Sequence, residues 1–118
     1  MKQETRTQKD ISILALDGRF DAYQVAGPKS WIEAVTTAVG GAAPHSPHLI
    51  INLAGVNFID STALATLVQG MKRARQQGGD LYLSNLQPPV RMVFELTRLD
   101  KAFAIFADEQ AALKAFGV

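Results

Sequence analysis

The residue pattern predicts an α/β fold: one domain with a mixed, mostly parallel β-sheet and about four helices. Short apolar runs at residues 11–16, 49–53 and 80–86 alternate with stretches whose apolar residues recur at helical spacing. Leu49-Ile50-Ile51-Asn52-Leu53 is apolar almost throughout, the pattern of a strand covered by helices on both faces. At 118 residues, 47% hydrophobic and 19% charged, the chain is the size and composition of one globular domain.

In chain order, residues 1–9 are polar and Thr-rich, an alternation that permits an edge segment beside the domain proper at 10–118. Ile11 to Leu16 read as a strand closed by the turn signal Asp17-Gly18. After Arg19-Phe20-Asp21-Ala22-Tyr23 comes a helix carrying Ile32, Val35 and Val39. Pro28 suits its first turn, where a missing N–H does no harm, and Gly40-Gly41 end it. Trp31 is expected to pack on the sheet. The segment Ala42 to His48, with Pro44 and Pro47, reads as an irregular loop before the strand at 49–53.

The next helix spans about Ser61 to Gln77. Leu64, Leu67, Val68 and Met71 form its buried stripe, and Gly78-Gly79 stop it. Lys72, Arg73 and Arg75 gather where the dipole is negative, as a solvated helix end. Asp80 to Leu86 make a strand with Leu81 and Leu83 on one face. Pro88-Pro89 open a short helix carrying Val90, Val93, Phe94 and Thr97. Ala102 to Phe106 form a last strand, and Asp108 caps a closing helix that uses Ala112, Leu113 and Phe116.

Composition narrows the function classes. Twelve Lys and Arg against eleven Asp and Glu give a formal charge of +1, with no basic excess for nucleic acid or a membrane surface. The absence of cysteine excludes disulfides and thiol chemistry. The N-terminal segment is polar and lacks the apolar core of a signal peptide, and no apolar run approaches the roughly 20 residues of a membrane span. The expected location is cytoplasmic. His45 and His48 have no third ligand nearby and read as surface histidines, so no metal is expected. Ser61 lacks the flanking glycines of a nucleophile elbow, and Gly78-Gly79 is neither a phosphate loop nor a dinucleotide fingerprint. The expectation is a chain that is not an enzyme and needs no cofactor, monomeric when free.

The stretch that carries information is Asn57-Phe58-Ile59-Asp60-Ser61-Thr62-Ala63-Leu64. Asp, Ser and Thr are ordinary helix N-caps, each worth about 1 kcal/mol against alanine. The same position tolerates added negative charge, because a helix start presents free N–H groups and a positive dipole end. Local chemistry alone favours a cap.

Beyond local chemistry, the chain resembles a STAS domain of the anti-sigma factor antagonist type. The resemblance is carried by Leu16-Asp17-Gly18-Arg19-Phe20-Asp21, by Leu49 through Leu64, by Gln77 through Leu83 and by Leu99-Asp100-Lys101-Ala102-Phe103. It implies an unphosphorylated protein that binds an anti-sigma factor serine kinase and so frees a sigma factor. The kinase then phosphorylates the serine after the signature aspartate, here Ser61 with Thr62 as fallback, and the complex separates. A metal-dependent phosphatase resets the switch. Asp21, Asp60, Ser61, Thr62 and Ala63 are the implied partner-binding residues. Ala63 stands where many members carry glycine, and its methyl is expected to bear on partner choice. An alternative keeps the fold but makes the chain a cytoplasmic subunit of an ABC-type lipid transport complex, with no phosphoryl cycle.

Overall fold

The apolar run at 49–53 lies in the middle of the sheet. The computed structural model describes residues 1–37 and 46–118. In order, its elements are β1 (Lys2–Gln8), β2 (Ile11–Phe20), α1 (Ala26–Thr36), β3 (His48–Ile59), α2 (Ser61–Gln76), β4 (Asp80–Ser84), α3 (Pro88–Leu96), a 3-10 turn (Leu99–Lys101), β5 (Ile105–Phe106) and α4 (Glu109–Ala115). The sheet order is β1-β2-β3-β4-β5, with β1 antiparallel to β2 and every other pair parallel. Leu49, Ile51 and Leu53 point into the larger core, against residues of α1, α2 and α3. Ile50 points the other way and joins Ile11, Ile13, Ala112 and Leu113 beneath α4. Period-two alternation buries both faces of β3, as the unbroken apolar run requires.

The edge segment pairs along its length, from Lys2 opposite Asp17 to Gln8 opposite Ile11. Lys9 and Asp10, both at positive φ, turn it into β2, the two-residue geometry that matches strand twist. Arg6 reaches across to Glu109 of α4, and Glu109 also accepts from Asn52 Nδ2 at 2.6 Å.

Four strand boundaries are corrected. Asp17-Gly18 does not end β2; the strand continues to Phe20, and its register with β3 slips after Ala15 and again after Gly18. A local turn signal has lost to a cross-strand ladder, which absorbs the glycine at φ +119° in a bulge. By the same pairing β3 runs on to Ile59 instead of stopping at Leu53. β4 stops at Ser84, where Asn85 adopts positive φ, and β5 is confined to Ile105–Phe106 behind the 3-10 turn.

The basic end of α2 is not simply solvated. Arg73 Nε donates to Thr36 Oγ1 at 2.9 Å, and Arg75 donates to Asp80 Oδ1 at 3.0 Å and to the Ala102 carbonyl at 2.8 Å. His48 opens β3 instead of sitting in a loop, and its ring stacks on Phe116 at 4.6 Å. Trp31 is half-buried and packs on the larger core. Val39, Gly40-Gly41, Pro44 and His45 lie outside the described residues.

Gly70 sets how closely α1 approaches α2. A Cβ there would lie 2.7 Å from Ile32 Cγ2 and 3.1 Å from Leu81 Cδ1. Gly70→Val is therefore expected to lower the unfolding free energy by about 1–3 kcal/mol, despite valine's better helix propensity. Urea denaturation checks this; wild-type stability in the variant would contradict the close approach.

Candidate functional site

Parallel pairing of β2 with β3 sets Phe20 beside Ile59, so the chain leaves both strands at the same end of the sheet. Asp21 and Asp60 follow immediately, and the Asp60 N–H donates to the Phe20 carbonyl at 3.2 Å. Carboxyl ends of parallel strands are where open α/β sheets place their sites.

Asp60 is the N-cap of α2. Its backbone is extended (φ −108°, ψ 179°), and its carbonyl accepts the first helical bond, from Leu64 N at 3.0 Å. Oδ1 accepts from the Ala63 N–H at 2.9 Å, and Oδ2 accepts from the Ala22 N–H at 2.9 Å. One carboxylate thus closes the helix start and holds the segment that follows β2. The Ala63 N–H foremost, with help from Ala22 and Thr62, keeps the Asp60 carboxyl below its ordinary value; partial desolvation pulls the other way. Such N–H donors to a carboxylate are charge-assisted and short.

Asp21 organises the facing turn. Its Oδ1 accepts from the Tyr23 N–H at 3.0 Å, its carbonyl accepts from Gln24 N at 2.9 Å, and Arg19 Nε lies 3.5 Å from Oδ2. The Arg19 guanidinium in turn stands over the Phe58 ring, 3.9 Å from its centroid. Ser61, the first residue of α2, and Thr62 are exposed. From Thr62 a groove of about 440 Å³ runs between α1 and α2, lined in part by Lys29, Thr66, Gln69 and Arg73.

Of the expected site residues, Asp21, Asp60, Ser61 and Thr62 come together at this end of the sheet. Ala63 does not join their surface: it is fully buried, its methyl part of the larger core. The expectation that this methyl meets a partner is corrected; a helix places its third residue on the opposite side from its first, and here that side is the core. Both oxygens of Asp60 are engaged within the chain, so it shapes the surface around Ser61. Sequence reasoning missed Arg19, Phe58, Ala22 and Tyr23. Two exposed aromatic side chains beside charged residues were the available signal, but the bulged register that brings Arg19 opposite Phe58 was not readable.

Among the described residues, no three His, Asp or Glu side chains gather as a metal site, and no helix is long and apolar enough to cross a membrane.

Asp60→Asn keeps one acceptor oxygen and replaces the other with a donor, so it can serve Ala63 or Ala22 but not both. Because the folded carboxyl titrates below its unfolded value, the stabilisation it gives is present above about pH 4 and fades as pH falls through the folded pKa. The variant should therefore melt below wild type at pH 7, with the gap closing under acid. A gap independent of pH would contradict the role assigned to the charge.

The STAS domain family model matches residues 2–112. An anti-sigma F factor antagonist of Paenibacillus polymyxa is 29% identical over 66 residues, which is 56% of this chain and 56% of that relative. An anti-sigma-B factor antagonist of Staphylococcus epidermidis is 30% identical over 96 residues, 81% of this chain and 83% of the other. A solved STAS domain protein from Planctomyces limnophilus has a TM-score of 0.84 at 22% identity, with 98% of each chain covered, a likeness of fold. With its family model reaching from β1 into α4 and a relative similar over most of its length, the chain belongs to the STAS domain family, among the anti-sigma factor antagonists.

Proposed function

We propose that this chain, when unphosphorylated, binds an anti-sigma factor that is also a serine kinase, and is released when that kinase phosphorylates Ser61. The observation that carries the reading is the exposed Ser61 at the first position of α2, directly after a carboxylate cap. The names of the curated relatives supply the partner class: both act against an anti-sigma factor. In the transfer, Ser61 Oγ attacks the γ-phosphorus of ATP and the bond to the bridging oxygen breaks. The hydroxyl proton passes to a base of the kinase and ADP departs. A metal-dependent phosphatase hydrolyses the ester and restores the hydroxyl.

The added group carries a charge of about −1.5 to −2. At a helix N-terminus that charge sits at the favourable end of the dipole, so the domain survives it. It also stands close to the Asp60 and Asp21 carboxylates, so the docking surface turns strongly negative while the fold remains. Binding and release then need no unfolding step. We place this cycle in the cytoplasm, with the free chain a monomer and its role regulatory rather than catalytic. In the alternative, a lipid-transport subunit, the same helix face would dock on an ATPase; the exposed Ser61 directly after the Asp60 cap favours the switch over it.

Incubation with the cognate kinase and ATP should put phosphate on Ser61, read by phosphopeptide mass spectrometry. Ser61→Ala should block modification and keep binding constitutive, while Ser61→Asp should weaken binding. Phosphate found only elsewhere, with Ser61→Asp binding as wild type, overturns the proposal. A membrane ATPase as the stable co-purifying partner would favour the transport reading instead.

A further inference from the structure

The Ser61 cycle leaves Tyr23 without a role. Its side chain is 93% exposed, the most of any large apolar residue among those described. One exposed tyrosine is unremarkable by itself. Two observations set this one apart. First, its backbone is fixed. The Tyr23 N–H donates to Asp21 Oδ1 at 3.0 Å, the Gln24 N–H donates to the Asp21 carbonyl at 2.9 Å, and the Ala22 N–H donates to Asp60 Oδ2 at 2.9 Å. Second, the group that holds Ala22 is the carboxylate that caps the helix carrying Ser61. The ring is presented from a base tied by hydrogen bonds to the start of the helix that carries Ser61, although nothing among the described residues covers it.

Tyrosine in such a setting offers a large amphipathic contact area and loses little conformational freedom on docking, since only its two side-chain torsions need fixing. A second aromatic contributes nearby: Phe58 is 38% exposed beneath Arg19, and Arg19 pairs with Asp21 of the same turn. Aromatic anchors ringed by polar contacts are the usual hot spots of protein interfaces.

We propose that Tyr23 is the aromatic anchor of the docking surface, entering an apolar pocket on the serine-kinase anti-sigma factor while Ser61, tied to it through Asp60, is presented to that partner's phosphoryl-transfer site. The inference rests on the Ser61 reading and deepens it: binding energy is concentrated at residue 23, and chemistry at residue 61. The continuity of the turn with the helix start is what assigns both residues to one partner. An anchor of this kind acts before and during transfer equally, so its loss raises KM for the protein substrate and leaves kcat in place.

The test uses the full chain and a serine-kinase anti-sigma factor encoded in the same genome, with affinities by titration calorimetry. Tyr23→Ala should weaken binding by roughly thirtyfold or more, while Tyr23→Phe stays within about tenfold of wild type. Both should melt with the wild type, since the ring is exposed. Hydrogen exchange on the wild-type complex should show residues 21–24 protected, a readout independent of any variant. Wild-type affinity in Tyr23→Ala, or no protection of 21–24, overturns the anchor; if Ser61→Asp is still weak, the Ser61 reading stands without it. If wild type binds no such kinase, the Ser61 reading falls and the anchor falls with it.

Discussion

The Asp60 carboxylate is the constraint on which the site depends. It is placed by β3, yet its oxygens reach in two directions, one to the helix that follows and one to the turn after β2. Without the first bond, the start of α2 has an unsatisfied N–H beside a core residue, Ala63. Without the second, the segment Ala22–Gln24 loses its tie to the helix start and is held by its bonds to Asp21, the Asx turn at Tyr23 and the Gln24 N–H to the Asp21 carbonyl. A serine or threonine cap would satisfy the helix equally well. Its single hydroxyl would have little to offer the second donor. An aspartate suits this position because it has two acceptor oxygens and a charge, and the depressed pKa is the electrostatic counterpart of that double use.

The sheet delivers Asp60 to that position. The register of β2 on β3 slips twice before the two strands end together at Phe20 and Ile59. The slips fall where Gly18 and Gly55 occur. A Cβ on Gly55 would stand 2.9 Å from the Asp17 backbone, so the two strands approach more closely there than most side chains allow. Bulges of this kind re-aim the residues that follow them. Arg19 comes opposite Phe58 only after both slips, and the guanidinium then covers the ring and reaches Asp21. The aromatic and charged rim around Ser61 is thus a product of strand register, several residues upstream of the site.

That dependence explains how much was legible in the sequence. The apolar run at 49–53, the helical stripe of Leu64, Leu67 and Met71 and the caps Asp60 and Asp108 are local patterns, and local patterns determine element type. The same reasoning failed at Asp17-Gly18, because whether a glycine makes a turn or a bulge is decided by a partner strand some forty residues away. It failed for Arg73 and Arg75 in the same way: their hydrogen-bond partners on α1, β4 and the segment before β5 are unknown until the helix is docked. At this end of the sheet Asp21, Asp60, Ser61 and Thr62, named by the family motif, come together, whereas the neighbours brought in by strand register and the turn after β2 were not legible. Ala63 shows the reverse error, a motif position read as surface although helical geometry turns it inward.

The cap also bears on why modification at Ser61 would act at the surface. A helix start can neutralise an anion because its first N–H groups are free. Here the Ala63 N–H is already given to Asp60, and the Thr62 N–H also acts on that carboxylate. A phosphoryl group on Ser61 would find those donors shared with an existing charge, held close by the Ala22 bond. Two anions competing for one set of donors leave part of the new charge without a partner. The exposed position of Ser61 directs that remainder outward, towards whatever is docked there. A neutral cap would surrender its donors and draw the phosphate in against the helix, screening it. The aspartate before the serine would thus make a modification there more repulsive to a partner, while the dipole would keep it tolerable to the fold.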